Sequence, residues 1–150
     1  MPESDLFILD TNLLVYYFDS KDKTKHSIAK KLIDSCWEKQ TSLAISSQNL
    51  SEFFFVTTTK SLLSKQEARN VVSDIIEFTN WIKMDFSYFT VLEAAKICEE
   101  NSMHYWDSLL AATMKQNGIF SIYTENTKDF KPKWLNAVNP FIKNSVKKIN

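Results

Sequence analysis

The chain has 150 residues with 18 acidic and 18 basic side chains, so its formal net charge is zero and its length suits one domain with a sizeable core. A single glycine, Gly118, excludes a glycine-rich phosphate loop or a G-x-G-x-x-G dinucleotide fingerprint; any phosphate chemistry must rest on side chains or metal ions. The charge balance argues against a protein that coats nucleic acid through bulk electrostatics, and Arg69 is the only arginine able to fork a phosphate.

Strands and helices alternate along the chain. Leu6-Phe7-Ile8-Leu9 is a short apolar run ending in Asp10, the pattern of a buried strand, and Leu13 to Phe18 continues as a turn or two of apolar helix. From Thr24 to Trp37, apolar residues recur at helical spacing with lysines on the other face. Ser42-Leu43-Ala44-Ile45 is a second candidate strand, after which Ser46 or Ser47 caps a helix through Lys60. Ser64 and Glu67 have capping-box spacing ahead of Val71, Val72, Ile75 and Ile76. Trp81-Ile82-Lys83-Met84 reads as a third strand. Tyr88 to Cys98 and Tyr105 to Gln116 read as helices, with Gly118 placed for a left-handed stop. Ile119 to Tyr123 is the clearest strand. The alternation predicts an α/β fold with a mainly parallel sheet and helices on both faces.

Charge is unevenly spread: residues 1–20 hold acids and no lysine or arginine, and residues 131–150 hold lysines and no acid. Cys36 and Cys98 sit in apolar helical patterns, too few for a disulfide framework, and read as small core residues. The acidic start lacks the basic flank of a secretory signal, and no apolar run reaches the roughly 20 residues that span a bilayer. The expectation is a cytoplasmic chain with no membrane partner.

Open parallel sheets place their sites beyond the carboxyl ends of the strands, where strand order reverses. Asp10 follows the first strand; Thr124, Glu125 and Asn126 follow the last. Three acids have unusual surroundings. Asp10 closes an apolar strand, and taken alone its ordinary reading is a cap for the helix that follows. Glu52 lies in Leu50-Ser51-Glu52-Phe53-Phe54-Phe55-Val56, where a helix apolar around its circumference would bury it; metal binding or a salt-bridge partner answers that cost. Asp107 opens the apolar helix Tyr105-Trp106-Asp107-Ser108-Leu109-Leu110, where capping is again the ordinary reading. Brought together from separate elements, such carboxylates repel one another, and the usual reason for the arrangement is a divalent cation such as magnesium. Two isolated cysteines with His26 and His104 offer no zinc spacing, and His104 reads as structural.

At these residues the sequence resembles the PIN-domain nucleases, and in order and gaps it is similar to small bacterial toxins of the VapC type. The resemblance rests on Leu9-Asp10-Thr11-Asn12, on Glu52 in its aromatic helix, on Trp106-Asp107-Ser108-Leu109-Leu110-Ala111-Ala112, and on Tyr123-Thr124-Glu125-Asn126-Thr127-Lys128-Asp129-Phe130. It runs from about residue 5 to residue 140. It implies that residues 1–150 form a single PIN-like nuclease domain, a three-layer α/β/α fold with four to five short strands in a mainly parallel sheet.

The activity it implies is that of an endoribonuclease dependent on Mg2+ or Mn2+. Asp10, Glu52 and Asp107 match three of the family's acidic positions and would be both catalytic and metal-holding. At the fourth, where the family has an aspartate, this chain has Asn126, with Glu125 beside it and Asp129 three residues on. Glu125 and Asn126 therefore join the expected metal set, and Thr11, Asn12 and Thr124 resemble the family's supporting polar residues. Water activated by the cation would attack in line and leave a 5′ phosphate and a 3′ hydroxyl. The implied partners are RNA, a cognate antitoxin and a second copy of the chain in a homodimer, with the carboxyl-terminal lysines near the RNA backbone or simply solvated. Phe53-Phe54-Phe55 is read as core before contact surface. A PIN-fold module that binds RNA or protein without cleaving is the alternative. A phosphotransferase of the haloacid-dehalogenase type is set aside because Asn12 stands where its second aspartate belongs.

Overall fold

Five short strands set the architecture of the computed structural model, which describes residues 6–142. They are β1 (Phe7–Leu9), β2 (Leu43–Ser46), β3 (Trp81–Met84), β4 (Ser121–Tyr123) and β5 (Asn136–Val138), all parallel, in the order β3-β2-β1-β4-β5. The register places Ile8 between Ala44 and Ile122. Chain order runs outward from β1 on one side and resumes at β4 on the other. The strand-order reversal thus falls between β1 and β4, where a parallel sheet opens a crevice at its carboxyl edge.

Parallel neighbours need crossovers, and helices supply them. Helices α1 (Thr11–Tyr16) and α2 (Lys23–Trp37) join β1 to β2, and α3 (Ser47–Thr59) and α4 (Lys65–Glu77) join β2 to β3. Helices α5 (Tyr88–Asn101) and α6 (Tyr105–Gln116) lead to β4, and a single 3-10 turn at Thr127–Asp129 precedes β5.

The period-two alternation of β1 divides the core. Ile8 faces one layer with Ala44, Ile122, Ala94, Ile97 and the apolar face of α6. Phe7 and Leu9 face the other, with Leu13, Ile33, Phe53, Ile75 and Trp81 from the elements between β1 and β3. Helices cover both faces, and the fold is the expected three-layer α/β/α arrangement with its sheet wholly parallel.

Local signals place the helix ends. Ser46 caps α3, its hydroxyl accepting from Asn49 N–H at 3.1 Å, and Ser64 and Glu67 form the capping box of α4. Gly118 follows α6 with φ of 68°, a left-handed position that favours glycine. Cys36 is buried and Cys98 half-buried, both as free thiols. No described helix is long and apolar enough to cross a membrane.

The five strands fall within the expected four to five, one of them at an unforeseen place, and two further expectations are corrected. The fifth strand, Asn136–Val138, was not singled out by its sequence; it forms because Ser121, Ile122 and Tyr123 of β4 pair with its backbone. The second strand runs one residue later than expected, to Ser46. Helix α3 is not apolar on every side: Phe53 is fully buried, while Phe55 is 67% exposed. Of the carboxyl-terminal lysines, read as a solvated charge run or as lying near an RNA backbone, those at 143, 147 and 148 lie outside the described residues.

Candidate active site

Asp10 leaves β1 at the crevice between β1 and β4, and its backbone N–H still donates to the Tyr123 carbonyl at 2.9 Å. Its side chain caps α1 as the sequence allowed: Oδ1 accepts from the Thr11 N–H at 2.8 Å. Oδ2 accepts from the Thr124 hydroxyl at 2.7 Å, so a residue after β4 fixes a carboxylate after β1. The Thr124 hydroxyl in turn accepts from the Asn126 N–H at 3.0 Å. Burial raises the Asp10 pKa, the bonds from Thr124 and Thr11 oppose the rise, and the charges of Glu52 and Glu125 add to it.

Glu52 projects from α3 toward the same place and is held by a relay. The Ser46 N–H and hydroxyl both donate to Asn49 Oδ1, at 3.0 and 2.8 Å. Asn49 Nδ2 donates to the Thr11 hydroxyl at 3.0 Å, and that hydroxyl donates to Glu52 Oε1 at 2.7 Å. Thr11 thus touches both carboxylates, one through its N–H and one through its side chain. Asn49 is fully buried, and the relay fixes Glu52 against α1.

Asp107 sits in the first turn of α6, but the helix cap falls at His104 and no side-chain cap bond is made there. The capping expectation for Asp107 is therefore corrected. Burial pushes its carboxyl up to about 6; Asp10 and Asp129 repel its charge, His104 works against the rise, and Glu52 adds a smaller repulsion. A carboxylate with that many like neighbours is strained when ionised, and a cation would relieve it.

Asp10, Glu52 and Asp107 line one cleft of about 840 Å³ together with Thr11, Asn12 and Asn126. Their oxygens are the hard donors that magnesium and manganese take. They share the cleft without closing on a point: among the described residues no three acidic, histidine or cysteine side chains converge on a single ion-sized position. The donor set suits a hydrated magnesium ion, which keeps several waters and needs few protein ligands.

The residues after β4 divide. Asn126 lines the cleft. Glu125 turns away: its carboxylate accepts from Tyr16 Oη and Lys25 Nζ, both at 2.8 Å. Asp129 lines a separate concavity with His104 and Lys131. Of the residues expected to hold metal, Asp10, Glu52, Asp107 and Asn126 are gathered in the cleft and Glu125 is not.

Sequence reasoning missed Asn49 and Gln48. Gln48 is buried and donates from Nε2 to the Trp106 carbonyl at 2.9 Å, tying α3 to the start of α6. The only local signal was two amides following the Ser46 cap.

The chain belongs to the PIN-domain family, whose model matches residues 7–132. No curated protein sequence matches. Among solved structures, a toxin–antitoxin complex from Klebsiella pneumoniae aligns at TM-score 0.63 and 21% identity, over 89% of this chain and 97% of that one. VapC20 of Mycobacterium tuberculosis, described as a sarcin–ricin loop cleaving toxin, aligns at 0.64 and 19%, over 83% and 92%. DNA-bound VapBC from Salmonella typhimurium aligns at 0.64 and 17%, over 91% and 99%. At these identities the likeness is one of fold.

Proposed function

We propose that this PIN-domain protein is a metal-dependent endoribonuclease and the toxin of a toxin–antitoxin pair, with residues 1–150 acting as one nuclease unit. The observation that carries the reading is the sharing of one cleft by Asp10, Glu52 and Asp107, drawn from three distant segments onto the carboxyl edge of the sheet. Asp10, Glu52 and Asp107 would hold magnesium or manganese, with the Asn126 carbonyl as a neutral fourth donor. Bound there, the ion would supply positive charge that polarises an attacking water and offsets charge gathering on the phosphate. The chain's own residues do the positioning. Thr124 and the Thr11 N–H orient Asp10, and the Thr11 hydroxyl orients Glu52. Asn12 lines the cleft beside them. Gln48 keeps the start of α6, and Asp107 with it, against α3. In-line attack by water leaves a 5′ phosphate and a 3′ hydroxyl.

Glu125 is the less favoured ligand, because Lys25 and Tyr16 already hold it. The antitoxin proposal draws on the fold shared with solved toxin–antitoxin complexes. Exposed Tyr88, Phe89 and Leu92 on α5 supply an apolar surface suited to a second copy or an antitoxin. A cytoplasmic location accords with an RNA substrate.

A second reading, a PIN-fold module that binds RNA without cleaving it, draws on the neutral Asn126 and on the absence of a closed three-acid cluster among the described residues. Incubating purified protein with total RNA separates the two. Fragments bearing 5′ phosphates are expected with magnesium or manganese and not with excess chelator. RNA that is bound but intact under every cation condition supports the second reading.

A further inference from the structure

Beyond its carboxylates, the cleft has an aromatic wall. Phe55, Phe86 and Trp106 line it and stand 67%, 39% and 63% exposed. Phe55 lies three residues after Glu52 on α3 and so shares its helix face, and Trp106 directly precedes Asp107 on α6. Gln48, buried in the same wall, spends Nε2 on the Trp106 carbonyl, and its Oε1 has no hydrogen-bond partner among the described residues.

Aromatic surface left open and a buried acceptor left unpaired are both unfavourable in the empty protein. One ligand chemistry answers both: a flat π face with N–H donors at its edge. Every nucleobase has such a face, and every unpaired base has a Watson–Crick-edge donor that pairing would consume. At zero net charge the chain has lysines and one arginine for phosphate contacts but no net electrostatic attraction to RNA, so stacking would add affinity that bulk charge does not supply.

We propose that Phe55, Phe86, Trp106 and Gln48 form a nucleobase subsite that holds one unpaired base and aligns the adjoining phosphodiester with Asp10, Glu52 and Asp107. The proposal rests on the nuclease reading above and requires the bound base to be unpaired, since a base inside a duplex has both faces stacked and its Watson–Crick edge engaged. A protein laid over the same aromatics is the competing occupant, and it is less favoured because the wall and the carboxylates share one cleft.

The test uses Asp10→Asn protein, in which cleavage is suppressed, with magnesium present. Binding to a labelled single-stranded RNA of about 12 nucleotides is read by fluorescence polarisation beside the same strand annealed to its complement. The single strand is expected to bind at least about tenfold more tightly than the duplex. In this background Phe55→Ala and Trp106→Ala each weaken the single strand about tenfold or more, and Trp106→Phe about twofold. Gln48→Met weakens it about fivefold. Both aromatics are exposed, so their alanine variants should fold, as unchanged urea midpoints would verify.

Equal affinity for single strand and duplex overturns the subsite, as do alanine variants that bind normally. Cleavage by the unmodified protein is scored separately, so those outcomes leave the nuclease reading standing. Alanine variants that change only in sedimenting mass assign the wall to a protein contact and also overturn the subsite. RNA neither bound nor cleaved overturns the nuclease reading and the subsite together.

Discussion

Replacing Asp107 by asparagine should stabilise the cation-free protein while removing its activity. Burial and the neighbouring acids lift the Asp107 carboxyl from 3.8 to about 6. Two pKa units correspond to about 3 kcal/mol of strain on ionisation at neutral pH, by the conversion of about 1.4 kcal/mol per unit. Asp107 is partly open to solvent, and screening reduces that ceiling to about 1–2 kcal/mol. The sign follows from proton binding. The folded state holds this proton more tightly than the unfolded chain, so stability is greatest below the unfolded pKa and declines as pH rises through about 6. Asparagine carries no such dependence. In excess chelator, Asp107→Asn should exceed wild type by about 1–2 kcal/mol near pH 7.5, a rise of about 2–8 °C in Tm. The gain should vanish near pH 4. Added magnesium should then stabilise wild type more than the variant, since only the intact site gains binding energy. Urea unfolding at several pH values reads all of this. A variant no more stable than wild type near neutral pH, or a gain that persists at pH 4, would refute the reasoning.

Thr11→Val removes the hydroxyl between Asn49 and Glu52 and strands a buried amide; a loss of about 1–3 kcal/mol in urea is expected, with a fall in kcat larger than any change in KM. Lys25→Ala breaks a partly exposed ion pair with Glu125 and should cost less than about 1 kcal/mol. Cleavage by Lys25→Ala should stay within about twofold of wild type, because Glu125 lies outside the cleft that gathers Asp10, Glu52 and Asp107. Gly118→Ala meets no atom within 4 Å, so its whole cost is the left-handed backbone, about 1 kcal/mol by chemical denaturation, with activity unchanged.

What the sequence made legible depended on how local the cause was. The Asp10 cap, the Ser46 and Ser64 caps and the Gly118 stop are set by residues within one helical turn, and each stands where its pattern put it. Glu52 was visible because an acid among aromatics demands an explanation. Exposure of Phe55 was not visible, since the opening beside it is bounded by Trp106 and Asp107 from a segment far along the chain. The same distance hid the Lys25 and Tyr16 contacts that draw Glu125 away. The strand Asn136–Val138 is three residues with one polar member, too short for a periodic signal, and only its partner β4 makes it a strand.

Binding of manganese, measured by electron paramagnetic resonance on the same samples in which RNA cleavage is followed, tests most directly whether the shared carboxylates make this fold a nuclease. Cleavage is expected to rise in step with manganese occupancy, and Asp10→Asn, Glu52→Gln and Asp107→Asn should each lose both together. Manganese bound equally well by all three variants, or cleavage that continues in excess chelator, would contradict it.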